Sequence, residues 1–183
     1  MIDDEAPLGV VPLEGRGSLP FALVHGEGLV AAASWALTSA GVELVDTGTP
    51  WREVRDSGRL LVVHDPLCPL VPVDFVERAV EECRSSRAVV AGVRPVTDTV
   101  KELHGRYVGD THAREDLMAV ASPVVLPPAV LAALDGIEPD LAGWVATLSA
   151  RFPVRFLEAP PLGRRVVDEA DLRVLEQLSL AGR

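Results

Sequence analysis

A chain of 183 residues is long enough to bury one substantial core and short for two. Its 48% hydrophobic and 24% charged residues suit a soluble globular domain, and 15 glycines with 15 prolines call for many tight turns rather than disorder. The formal net charge of -10 excludes a nucleic-acid backbone or an anionic membrane surface as partner, because each demands concentrated positive charge.

Residues 8–13, LGVVPL, read as a first buried strand, followed by the loop EGRGSLP over residues 14–20. A glycine-rich loop after a first strand has two readings. Gly15 and Gly17 either let backbone N–H groups approach phosphate oxygens or simply permit a tight turn. Arg16 is the loop's one cation, and Glu14 brings charge of the opposite sign. Residues 28–40 have the spacing of an amphipathic helix stopped by Gly41, and residues 42–45, VELV, give the next strand.

The most informative stretch is residues 59–69, RLLVVHDPLCP. Four successive apolar residues, Leu60 to Val63, argue for a strand covered on both faces, since a half-exposed strand would alternate apolar with polar. His64 and Asp65 then stand at its carboxyl end, where open α/β sheets bind ligands. Asp65 can equally cap the turn before the helix expected over residues 73–83. Residues 88–93 form the following strand, and Tyr107 with Val108 between Gly105 and Gly109 suggests a short hairpin. Helices are expected over 128–134 and 140–150, a strand over 154–157, and a last helix near the end. Alternating strands and helices imply a three-layer α/β domain, residues 1–183, with a mostly parallel, Rossmann-like sheet.

Lys101 is the only lysine, so arginine supplies the rest of the 17 basic residues. Cys68 and Cys83 form no CxxC pair and stand near no histidine cluster, so neither a disulfide nor a zinc site is expected. No apolar run approaches the roughly 18 residues of a membrane span, and the acidic start MIDDE is unlike a signal peptide. A cytoplasmic location is the expectation.

Residues 63–72, VHDPLCPLVP, followed by Pro95, Asp98, Thr99 and Lys101 in the pattern P-x-x-DT-x-K, resemble the 2-C-methyl-D-erythritol 4-phosphate cytidylyltransferase family and its polyol-phosphate relatives. That family carries VHDAARPLVP and the same second segment at about this distance. The resemblance spans residues 59–180 well and residues 8–58 poorly. It implies a nucleotide-diphospho-sugar-transferase-like fold with a projecting β-arm over residues 98–113, which pairs two subunits into a homodimer.

The resemblance also assigns roles. Asp65, Arg114 and Arg165 fall on catalytic positions, Arg165 standing where the family has lysine. Thr99, Ser122 and Cys68 fall on substrate positions, Cys68 replacing the arginine of HDxxRP. A reactive Cys68 thiol is the alternative reading. Gly15, Arg16 and Gly17 correspond to the nucleotide loop AAGxGxRxGxxxPK, but the loop is short and Phe21 stands where its lysine should be. No residue carries the family's GGxxRxxSV segment, because only residues 46–58 separate VELV from the central strand.

Two functions follow. One is transfer of CMP from CTP to a polyol phosphate, with Mg²⁺ neutralising the triphosphate; the metal ligands are unknown. The other is a catalytically lapsed paralogue that keeps the fold, the dimer and a pocket for a small phosphorylated ligand. The reduced nucleotide side leads to an expectation of weak or absent CTP binding.

Overall fold

The apolar run ahead of Asp65 is a strand buried on both faces, and the sheet is built around it. The computed structural model describes residues 5–46, 48–96, 100–104, 107–112 and 118–181. The main strands are β1 (Leu8–Val10), β4 (Glu43–Leu44), β5 (Leu61–Val63), β6 (Val89–Pro95), β9 (Met118–Leu126) and β10 (Val154–Glu158). They form one six-stranded sheet in the order β10-β6-β9-β5-β1-β4. Every neighbour pair is parallel except those of β9, which runs antiparallel between β5 and β6. This is the expected mostly parallel sheet, with one reversed strand that the sequence reading had not identified.

Side chains alternate between two covered faces. Leu61 and Val63 of β5 join one cluster with Trp144, Val145 and Leu148 of α5 (Leu141–Arg151), Val130 and Leu131 of α4 (Pro128–Leu131) and Val54 of α2 (Trp51–Arg55). Val62 points the other way, into a cluster with Leu37 of α1 (Leu29–Ser39) and Phe75, Val76, Ala79 and Cys83 of α3 (Val73–Ser86). All three β5 residues are fully buried, which is why the run carries no polar alternation. A third cluster joins Leu67 and Leu29 to Leu172 and Leu175 of α6 (Glu169–Ala181).

Helix α1 ends where expected, with Gly41 in the left-handed region at φ +73. Two small antiparallel pairs stand apart from the main sheet: β2 (Leu23–Val24) with β3 (Glu27–Gly28), and β7 (Val100–His104) with β8 (Tyr107–His112). The second pair lies within the expected arm. Among the described residues no helix is long and apolar enough to cross a membrane.

Where β6 meets β9, the register shifts between Ala91 and Val93. Gly92 sits at that shift, and a Cβ there would lie 2.8 Å from the carbonyl oxygen of Ser122. The two backbones approach more closely than any side chain allows, and this sets Ser122 beside the end of β5.

Candidate anion site at the end of the central strand

Asp65 follows β5 directly and is 2% exposed. It stands both in the turn and beside a cavity. Its Oδ1 accepts the N–H of Leu67 at 3.0 Å, fixing the turn after the strand, and the residue also lines a cavity of about 420 Å³. Gly15, Val120, Ala121, Asp140 and Arg165 line the same cavity.

Two arginines hold the Asp65 carboxylate. Arg16 Nε donates to Oδ1 at 2.8 Å, and Arg165 Nε donates to Oδ2 at 3.1 Å. Gly15 and Gly17 adopt φ +76 and +57, so the loop turns tightly on either side of Arg16 and drives that side chain inward. Arg16 Nη1 then donates to the Glu14 carbonyl at 2.6 Å, while Nη2 is buried and meets no acceptor among the described residues. Burial works to raise the Asp65 carboxyl. The hydrogen bonds from Arg16 and Leu67 and the charges of both arginines outweigh it, holding the group below its usual range.

Behind Asp65 lies a buried polar pair. Ser122 Oγ accepts the Asp65 backbone N–H at 2.8 Å and lies 2.6 Å from His64 Nδ1. Both side chains are fully buried, and His64 Nε2 has no partner among the described residues. Burial pushes the His64 imidazole down to about 4, against the opposing pull of the Asp65 charge. The ring is therefore neutral near pH 7.

Several expected site residues take different roles. Cys68 is corrected: it is completely buried in the α3 side of the core, and burial raises its thiol far out of the reactive range, so it offers a ligand no contact. Ser122 is likewise corrected from substrate contact to support of Asp65, since none of its surface is exposed. Thr99 and Arg114 lie outside the described residues. Gly15 lines the cavity, whereas Gly17 serves the turn.

One wall escaped the sequence reading. It comes from the start of α5, where Pro139, Asp140, Leu141 and Ala142 face the cavity. Asp140 caps that helix, its Oδ1 accepting the N–H of Ala142 at 3.1 Å. The signal was present in Asp140 as an N-cap residue, but nothing in the spacing tied it to Asp65.

The donors present do not match a divalent cation. Both Asp65 oxygens accept from arginines, an Asp140 oxygen caps its helix, and no cluster of three or more His, Cys, Asp or Glu side chains that could hold a metal occurs among the described residues.

The family model for 2-C-methyl-D-erythritol 4-phosphate cytidylyltransferase matches residues 41–149. A protein of that name from Rhodococcus jostii is 32% identical over 160 residues, covering 84% of this chain and 70% of its own length. A Corynebacterium diphtheriae protein of the same name is 30% identical over 105 residues, and there the match spans only 38% of the relative. Among solved structures, the Thermus thermophilus cytidylyltransferase superposes with a TM-score of 0.69 at 22% identity, over 96% of this chain and 98% of that one. That likeness shows the fold, a nucleotidyltransferase-like α/β architecture. With the sequence match over most of its length, the chain belongs to the 2-C-methyl-D-erythritol 4-phosphate cytidylyltransferase family.

Proposed function

We propose that the chain is a cytidylyltransferase-family protein that binds a small phosphorylated ligand at Arg165 and has weak or no CMP-transfer activity. The observation that carries this reading is the position of Arg16. It is the one cation of the shortened nucleotide loop, its side chain is 2% exposed, and it is committed to Asp65 and the Glu14 carbonyl. A triphosphate needs cations and N–H donors to offset its charge. Here the N-terminal end of α5 is already capped by Asp140, and the charge of Arg165 is shared with Asp65.

Family membership favours a second reading, active transfer. In that reaction a phosphate oxygen of the acceptor attacks the α-phosphate of CTP, and pyrophosphate leaves. Mg²⁺ would be required, and among the described residues no cluster of three or more acidic, His or Cys side chains stands ready to hold it. Calorimetric titration with CTP and Mg²⁺ separates the readings, beside a pyrophosphate-release assay over a panel of polyol phosphates. Losing two or three charge-assisted hydrogen bonds weakens CTP by about a thousandfold or more, so no micromolar affinity and no turnover are expected. Micromolar binding with pyrophosphate release would restore the transferase.

The same proposal includes a homodimer through the arm over residues 98–113. The β7–β8 pair belongs to neither strand edge of the main sheet, and an isolated two-stranded hairpin is marginal in water unless its edges are paired. Light scattering at micromolar concentration is expected to give twice the mass of one chain; the mass of one chain alone would count against the dimer.

A further inference from the structure

The two arginines on Asp65 are not equivalent. Arg16 is buried with it, both side chains 2% exposed, and Arg16 is also fixed through Nη1 to the Glu14 carbonyl. Arg165 is 42% exposed and reaches Asp65 through a single Nε bond at 3.1 Å. Its loop is anchored by the backbone, the N–H of Val166 donating to the Leu67 carbonyl at 2.7 Å, so the guanidinium can move while its Cα stays in place.

Arg165 also lines a second cavity of about 470 Å³, on the side of Arg94, Ala119 and Arg164. Val120, Ala121 and Arg165 are common to both cavities. The side chain thus stands on the wall between them, with Asp65 holding it toward the first.

We infer that Asp65 is a built-in competitor for the site's own anion: an oxyanion ligand binds by taking Arg165 away from Asp65, while Arg16 remains paired and in place. The exchange replaces one carboxylate by one phosphate on a half-exposed guanidinium, so the cation is never left without an anion. Moving Arg16 instead would strip a buried carboxylate of its buried partner. Once Arg165 has left, Asp65 Oδ2 faces the first cavity as a vacant acceptor. Ligand binding therefore does two things at once, seating an anion and exposing a carboxylate oxygen to whatever donor the same ligand carries. This inference rests on the anion-site reading proposed above.

The probe is inorganic phosphate, titrated into the ¹⁵N-labelled chain and followed at the arginine Nε–H signals, with Arg165→Lys identifying the Arg165 signal by its loss. Saturable movement of the Arg165 signal with the Arg16 signal unmoved is expected. In parallel, Asp65→Asn keeps an oxygen for Arg16 and Leu67 but removes the competing charge, and is expected to bind phosphate at least about tenfold more tightly than the unaltered chain. Phosphate binding that leaves Arg165 unmoved, or a folded Asp65→Asn chain that binds no more tightly, overturns the exchange and leaves the anion site standing. Failure of phosphate to bind either protein overturns the anion site itself. Should Asp65→Asn not fold, the spectrum of the unaltered chain still decides.

Discussion

Loops from opposite ends of the chain each deliver an arginine to Asp65, and they do so under opposite conditions. The loop after β1 is short and turns at two glycines in the left-handed region, and its Arg16 is sealed inside the protein. The loop before α6 reaches the same carboxylate from the outside, and its Arg165 keeps 42% of its side chain in solvent. Both pairs join a guanidinium Nε to the same carboxylate, so burial and the second bond of Arg16 to the Glu14 carbonyl are what separate the two cations. Water screens the outer pair and makes it cheap to break, whereas the inner one has no solvent to fall back on.

The sharpest way to break this comparison is to remove the shared partner. Asp65→Ala leaves Arg16 buried without a counter-charge, and a loss of about 3 to 5 kcal/mol is expected in urea unfolding. A loss near zero would mean that Arg16 finds water and that the two pairs are alike.

The next effect comes from the polar pair behind Asp65. His64 binds its proton at about 4 in the folded chain against 6.5 for an ordinary histidine, so between these values the unfolded chain holds more protons. The stability that His64 contributes is complete above pH 6.5 and is lost as pH falls toward 4, by about 3 kcal/mol in total. Urea midpoints measured across that window should show the decline, and His64→Gln should flatten it. An unchanged slope in that variant would place the acid sensitivity elsewhere.

The smallest effect completes the contrast. Arg165→Ala is expected to change stability by less than about 1 kcal/mol, as for other exposed ion pairs, with a thermal midpoint close to that of the unaltered chain. A loss as large as that of Asp65→Ala would show that the outer arginine is structural too.

Much of the fold was legible because burial leaves a local trace. The β5 run had no polar alternation because helices cover both faces, and the residues expected to form α1, α3 and α5 fall within a few positions of their observed bounds. Strand β9 was less legible. Arg114 and Ser122 fell on family positions, but nothing local indicates that 118–126 runs antiparallel between two strands formed earlier in the chain.

The site divided in the same way. Asp65 was visible from its place at a strand end, and Arg165 from the family position on which it falls. Their meeting spans 100 residues, and that of Arg16 with Asp65 spans 49. Cys68 illustrates the opposite failure: alignment with a contacting arginine suggested contact, but a small apolar thiol at that position packs inward instead.

The pairing of β6 with β9 continues to its last rung, Pro95 opposite Met118. What lies between those residues is therefore grafted onto two strands already clamped together at its base. Lengthening such a graft costs little, about 0.6 kcal/mol for each doubling, because loop-closure entropy grows only with the logarithm of length. The positions next to Asp65 lie on the sheet side of the clamp. A change of length in the segment over residues 96–117 is therefore expected to leave the carboxylate and its two arginines in place, since neither arginine nor Asp65 lies within it.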